Sequence, residues 1–166
     1  MTIASAATSL ADMPVLTALP VEHIADMAVE IEPLQHVATM VSDRLVSLGT
    51  SGFLTGPRLN AELLPGGGDT MVLGTDGICR INAQAVFKTD DGVLIHYTAG
   101  GVARFPTDGF ARLAAGEQMS FGETYIRVTT KFETADERYN WLNGLLTVGH
   151  NLLSSTRVQS RIYAVL

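Results

Sequence analysis

A period-two alternation of polar and apolar side chains runs through most of this chain and commits it to half-buried strands. In the run Arg58-Leu59-Asn60-Ala61-Glu62-Leu63, residues Arg58, Asn60 and Glu62 share one face and Leu59, Ala61 and Leu63 the other. Arg80, Asn82, Gln84 and Lys88 stand opposite Ile81, Ala83, Ala85 and Phe87 in the same way. Glu123, Tyr125, Arg127 and Thr129 oppose Thr124, Ile126 and Val128, and Arg157, Gln159, Arg161 and Tyr163 oppose Val158, Ile162 and Ala164. Asp91-Gly92, between two apolar runs, is a hairpin signal. Gly66-Gly67-Gly68 opens backbone angles closed to other residues, lets the chain pass close to a neighbour or ligand, and ends on Asp69. The fold these features imply is antiparallel and all-β.

Turn signals place strands near 34–42, 44–50, 57–64, 70–74, 77–88, 92–99, 120–131 and 156–165. One helix is expected over 135–148. Thr134 is its N-cap, early acids favour its first turn, and Tyr139, Leu142, Leu145 and Leu146 form its apolar stripe beside Trp141. Residues 1–19, rich in Ala, Ser and Thr, read as a loose arm. From Pro20, the spacing of Val21, Ile24, Met27 and Ala28 predicts a short helix. The chain therefore divides into an N-terminal arm with a short helix, 1–33, and a β domain, 34–166.

With 166 residues the chain is long enough to bury a sizeable core. Its net charge of −6 argues against a surface that tracks nucleic-acid phosphates. The first basic residue is Arg44, so the leading segment lacks the basic region of a secretory signal. No apolar run reaches the roughly 18 residues of a membrane span. The lone cysteine, Cys79, forms no internal disulfide and suits a reducing, cytoplasmic setting; it reads as a buried apolar side chain.

Five blocks stand in the order of one known family: Gly56-Pro57-Arg58, Leu64-Pro65-Gly66-Gly67-Gly68-Asp69, Thr75-Asp76-Gly77, Thr89-Asp90-Asp91-Gly92, and Phe132 through Asn143. From about Leu34 to the C-terminus the chain resembles the domain of unknown function 3237 family. The resemblance implies a small barrel of about eight antiparallel strands, like those of allene oxide cyclase and dirigent proteins. Two positions depart from the family's pattern. Asp69 is followed by Thr70 rather than Trp, and Asn82-Ala83-Gln84 stands where members carry an Asp-x-Arg pair. Asparagine and glutamine keep hydrogen-bonding geometry but lose charge and acid–base capacity.

Two orientations of the polar rows remain open. They are wet while apolar side chains fill the barrel, or they line a lumen able to hold one small ligand. Arg58 is the test, because an inward guanidinium needs a partner or an anionic ligand. On the second orientation, Asp69, Tyr125 and Arg58 are the expected catalytic residues. Asn60, Asn82, Gln84, His96, Tyr97, Arg127 and Trp141 are the expected substrate contacts. Carboxylate, tyrosine and arginine suit proton abstraction with oxyanion stabilisation. The expected function is a cofactor-independent lyase or isomerase acting on a small apolar, aromatic or phenolic compound. The alternative is a non-catalytic carrier or sensor of such a compound.

The four histidines show no metal-ligand spacing, and no metal or cofactor is expected. No Gly-x-Ser-x-Gly elbow is present, and the glycine turn is followed by no Gly-Lys-Ser/Thr. The expected partners are a small molecule and further copies of the chain in a homo-oligomer, with neither nucleic acid nor membrane.

Overall fold

Strand alternation closes into a barrel because every strand here except the three-residue β2 finds a partner on both sides. The structure, a computed structural model, describes Met13 and residues 15–166; the arm expected over 1–19 lies largely outside them. The strands are β1 (Val21–Ile31), β2 (Gln35–Val37), β3 (Asp43–Thr55), β4 (Asn60–Leu63), β5 (Gly68–Leu73), β6 (Cys79–Thr89), β7 (Leu94–Arg104), β8 (Tyr125–Glu133), β9 (Thr147–Leu153) and β10 (Arg157–Val165). A short helix, α1 (Gly109–Ala114), lies between β7 and β8, and a 3-10 turn, Asn140–Gly144, between β8 and β9. All pairings are antiparallel, in the order β1-β10-β9-β8-β7-β6-β5-β3, and β3 closes the ring on β1. β4 shares the place of β5 between β3 and β6, and β2 continues the place of β1 along β3, so the wall has eight places.

The apolar rows face inward. Along β6, Arg80, Asn82, Gln84 and Lys88 are exposed while Cys79 and Phe87 are buried. One end of the barrel is plugged by Leu54, Leu59, Phe87, Ile95, Phe132 and Leu142, each at most 1% exposed. Burying each such side chain contributes about 1.5–3 kcal/mol. Tyr97 extends this plug toward the middle, its ring centroid 5.7 Å from Phe87 and 5.4 Å from Phe132. A second cluster, around Leu45, Met71, Cys79, Ala103 and Ile126, occupies the other end with Phe105 and Phe110.

Two expected helices are not helices. Val21–Ile31 is β1, a full member of the wall that pairs with β10 and β3. A register shift between His23 and Ala25 turns both Ile24 and Ala25 inward, and that bulge makes a two-residue alternation resemble helical spacing. Over 135–148 the chain makes only the 3-10 turn before entering β9. Here side chains capture the backbone groups a helix would need. The Thr134 N–H donates to Asn143 Oδ1 at 2.9 Å, Asn143 Nδ2 donates to the Thr134 carbonyl at 2.7 Å, and the Arg138 N–H donates to Asp136 Oδ1 at 3.0 Å. The true helix, α1, is too short to announce itself by periodicity.

The glycine turn divides β4 from β5. Gly66 takes φ 103°, a left-handed angle that penalises a side chain. A Cβ on Gly68 would stand 2.6 Å from the Ser47 carbonyl oxygen, in the ladder between β3 and β5. Gly68→Ala is therefore expected to destabilise the fold by about 2 kcal/mol or more, by forcing β5 off β3. Thermal unfolding checks this; a melting temperature equal to the parent's would show that β5 yields without strain.

Candidate functional site

Between the two core clusters the barrel is not filled. A cavity of about 100 Å³ remains, walled mainly by apolar side chains such as Met27, Val29, Ala83, Ala85, Ala99 and Val128. A cavity of about 150 Å³ admits benzene, so this smaller space takes a single ring only when its walls give slightly.

Asp69 lines this cavity and is the one carboxylate that does so among the described residues. It follows the glycine turn, and the alternation of β5 sends Thr70 out while Asp69 and Met71 face in. The Asn82 N–H donates to Asp69 Oδ1 at 3.1 Å. Burial pushes the Asp69 carboxyl up to about 6, and that single hydrogen bond only partly opposes the rise. Tyr97 also lines the cavity and is 4% exposed. Its hydroxyl is pushed well above the ordinary tyrosine range, chiefly by burial and then by the Asp69 charge, so it stays a hydrogen-bond donor. Ser47, beside Asp69 in the β3–β5 ladder, Asn151 on β9, and Gln84, a residue otherwise exposed, complete the polar lining. Cys79 belongs to the packed cluster beyond, its thiol pushed up to about 11 by burial and secondarily by Asp69; it is inert as a nucleophile at neutral pH.

Of the expected site residues, only Asp69 and Tyr97 have their side chains brought together inside. Arg58 points out and lies over the Trp141 ring, 3.9 Å from its centroid, which settles the orientation of its row against a polar lumen. Asn60 and Glu62 are exposed beside it, and Asn60 Oδ1 accepts the Gly56 N–H at 3.3 Å. Asn82 and Gln84 turn their side chains outward. His96 is exposed on β7, 3.4 Å from Glu133. Tyr125 and Arg127 are on the outer face of β8, where the Arg127 guanidinium lies 4.7 Å from the Tyr125 ring centroid. The physical reason is common to all of them. A closed barrel of this width has room inside for small and apolar side chains, and charges stay hydrated on the outer wall.

Three of the five sequence blocks meet outside the plugged end, away from the cavity. Arg58 covers Trp141 in the turn that inserts Leu142. Asp91 Oδ2 accepts from Arg138 Nη1 at 2.8 Å, and its Oδ1 accepts from the Tyr139 hydroxyl at 3.1 Å and from Thr89 Oγ1 at 2.5 Å. These contacts staple the turn over the barrel floor. Arg58→Ala is accordingly expected to cost about 0.5–1 kcal/mol of stability and to leave cavity binding within about twofold. A titration with any cavity ligand checks this, and a large loss of affinity would place Arg58 in the site after all.

Ser47 and Asn151 were not legible as site residues. Ser47 lies in a run without strict alternation. Asn151 is an inward polar residue on a strand hidden behind the apparent helix.

A family model described as a protein of unknown function, DUF3237, matches residues 19–165, beginning ahead of Leu34 and taking in β1. A UPF0311 protein of Clostridium acetobutylicum is 30% identical over 92 residues, 55% of this chain and 58% of its own, so the match spans under two thirds of that relative. A UPF0311 protein of Rhodopseudomonas palustris is 28% identical over 115 residues, 69% of this chain and 75% of its own. Among solved structures, a conserved protein of unknown function from Rhodopseudomonas palustris superposes with TM-score 0.85 at 23% identity, over 91% of this chain and 100% of that one. An enzyme from Penicillium herquei superposes with TM-score 0.66 at 18% identity, over 93% of this chain and 99% of that one. At these identities the structural likenesses establish the barrel and nothing finer. None of the described helices is long and apolar enough to cross a membrane.

Proposed function

We propose that this chain, which belongs to the DUF3237 family of proteins of unknown function, is a lyase or isomerase that moves a proton on a small, mostly apolar compound, aromatic or phenolic, held inside the barrel. The observation that carries this reading is the placement of Asp69: a carboxyl group aimed into an apolar cavity with one backbone N–H as its partner and no arginine or lysine beside it among the described residues. A carboxylate so placed is a poor structural element and a good base. One barrel of this fold is described as an enzyme, so the fold is compatible with catalysis.

In this reading the ionised Asp69 takes a proton from a carbon or hydroxyl adjacent to the ligand's carbonyl or ring. Charge then develops on an oxygen, and the donor present for it is the Tyr97 hydroxyl, with Ser47 and Asn151 also within the cavity. Neutral donors replace the arginine expected from the sequence. Return of the proton to a different atom completes an isomerisation; departure of a group from the neighbouring carbon completes an elimination. The apolar walls exclude water from the intermediate.

The test is incubation of the purified protein with a panel of phenolic and enolisable one-ring compounds, read by mass spectrometry and NMR. Turnover should rise with pH through about 6 as Asp69 ionises. Saturable binding with every ligand recovered unchanged would sink the enzyme and favour the second reading, a carrier or sensor. The largely apolar wall suits that reading too, since a carrier needs only shape and a hydrogen bond or two.

A further inference from the structure

The barrel satisfies its structural polar groups. Buried Thr130 and Thr147 share a hydrogen bond of 2.5 Å between their hydroxyls, and Thr147 donates to the Thr130 carbonyl at 2.6 Å. Against that standard four atoms stand out among the described residues. His150 Nε2 lies under Phe121 on the outer wall, while Ser47 Oγ, Asn151 Oδ1 and Ser160 Oγ are buried without any hydrogen-bond partner in residues only 5%, 7% and 3% exposed. Buried polar groups are ordinarily paired, and an exception calls for a reason.

Their positions supply one. In the order of the wall, β9 is four places from β5 in either direction, so Asn151 and Asp69 line the same cavity from opposite sides. Each has a hydroxyl on the neighbouring strand. Ser47 is the register partner of Asp69, and Ser160 is the register partner of Asn151. Gly149 lets the second pair pack close against its backbone. A Cβ there would stand 2.6 Å from Val128 Cγ2, 2.9 Å from Ser160 Oγ and 3.2 Å from Asn151 Oδ1. Between the two polar ends the walls are Ala83, Ala85, Ala99 and Val128, which offer contact and no hydrogen bonds. No Lys, Arg or His side chain lines the cavity among the described residues.

We infer that the site takes an uncharged one-ring compound oxygenated at both ends. One oxygenated end lies against Asp69 and Ser47, and the other is held by Asn151, with the Ser160 hydroxyl beside it on β10 and outside the cavity lining. The inference rests on the reading of this cavity as the substrate site. It adds the shape and polarity of the substrate, and makes Asn151 the residue that selects for the far end. The Asn151 amide offers a donor and an acceptor, so a carbonyl, a hydroxyl or an ether oxygen is matched there. A carboxylate is not, because it brings a charge into an apolar space that already holds an acid.

The test compares three probes of one shape by calorimetric titration at pH 6, where the phenols stay protonated and the benzoate is ionised: p-cresol, with one oxygenated end; 4-hydroxybenzaldehyde, with two; and 4-hydroxybenzoate, with a charged second end. The aldehyde is expected to bind about tenfold tighter than p-cresol and the benzoate more weakly than either. In the near-isosteric Asn151→Leu, and in Asn151→Ala, the preference for the aldehyde should fall to within about twofold while p-cresol binding holds. Asn151→Ala adds no apolar bulk, so it keeps the test sharp should Asn151→Leu fold poorly. Equal binding of aldehyde and cresol, a preference that survives both substitutions, or no binding by any probe would overturn the inference. The titration is repeated in Asp69→Asn, which lacks the base. A preference that persists there alongside absent turnover in the parent would sink the enzyme and leave the two-ended site standing; turnover without the preference would do the reverse.

Discussion

Asp69→Asn is expected to make the folded protein more stable by about 2–3 kcal/mol at pH 8 and to leave stability almost unchanged at pH 3.5. The sign follows from the direction of the shift. Folding raises this carboxyl from its ordinary value of 3.8 to about 6, so between those values the folded state holds a proton that the unfolded state has released. Stability contributed by this group is greatest below the unfolded value and declines as pH rises through the folded one, after which an ionised acid sits in an apolar cavity. Asparagine removes that penalty while keeping shape and the acceptor for the Asn82 N–H. The same substitution is expected to lower turnover by about a hundredfold to ten-thousandfold, since an amide cannot serve as a base. Chemical denaturation at the two pH values, paired with an activity assay, checks both halves. A substitution that destabilises at pH 8 would mean the carboxylate is satisfied by a group not seen here. Stabilisation with unchanged turnover would remove Asp69 from the chemistry. A residue whose loss improves the fold and ends the function is held for function.

Filling the cavity should have an equally large effect in a different observable. Ala83 is the register partner of Asp69 across β5 and β6, and its side chain faces the empty space. Ala83→Leu places three more carbons over the carboxyl. Affinity for any cavity ligand is expected to fall about a hundredfold or more, because the volume and the approach to Asp69 are both taken. Stability should stay within about 1 kcal/mol of the parent, new apolar burial of about 0.8 kcal/mol per carbon being offset by crowding against the opposite wall. Titration and thermal unfolding of the same preparation separate the two effects. Undiminished binding in a well-folded variant would locate the ligand elsewhere, on the outer wall. The inward shift of bulk also desolvates Asp69 further, so any activity that remains should need a higher pH than in the parent.

The strand content was readable because alternation is a local property. The rows Arg80-Asn82-Gln84-Lys88 and Ile81-Ala83-Ala85-Phe87 do face opposite sides of one wall. Local pattern failed where the third dimension intervened. At β1 a bulge next to His23 broke the alternation and gave it a helical look. Over 134–146, Asn143 and Asp136 took the backbone groups that an apolar stripe alone would have assigned to a helix. Arg58, Tyr125 and Arg127 were chosen for their chemistry, yet they ended on aromatic rings outside the barrel. The two guanidinium charges are cheap in water and costly within so narrow a lumen.

By itself, the order of residues determined an antiparallel barrel wall, its two faces, the glycine turn and an acid at the end of that turn. Which face looked inward, and with it the choice of Asp69 and Tyr97 over the arginines, was decided only when β3 closed on β1. Closure gave the lumen a fixed width, and that width brought Asn151, eighty-odd residues away in the chain, to the wall facing Asp69. A period of two says that neighbours face apart; it carries no information about which distant strands will share an interior.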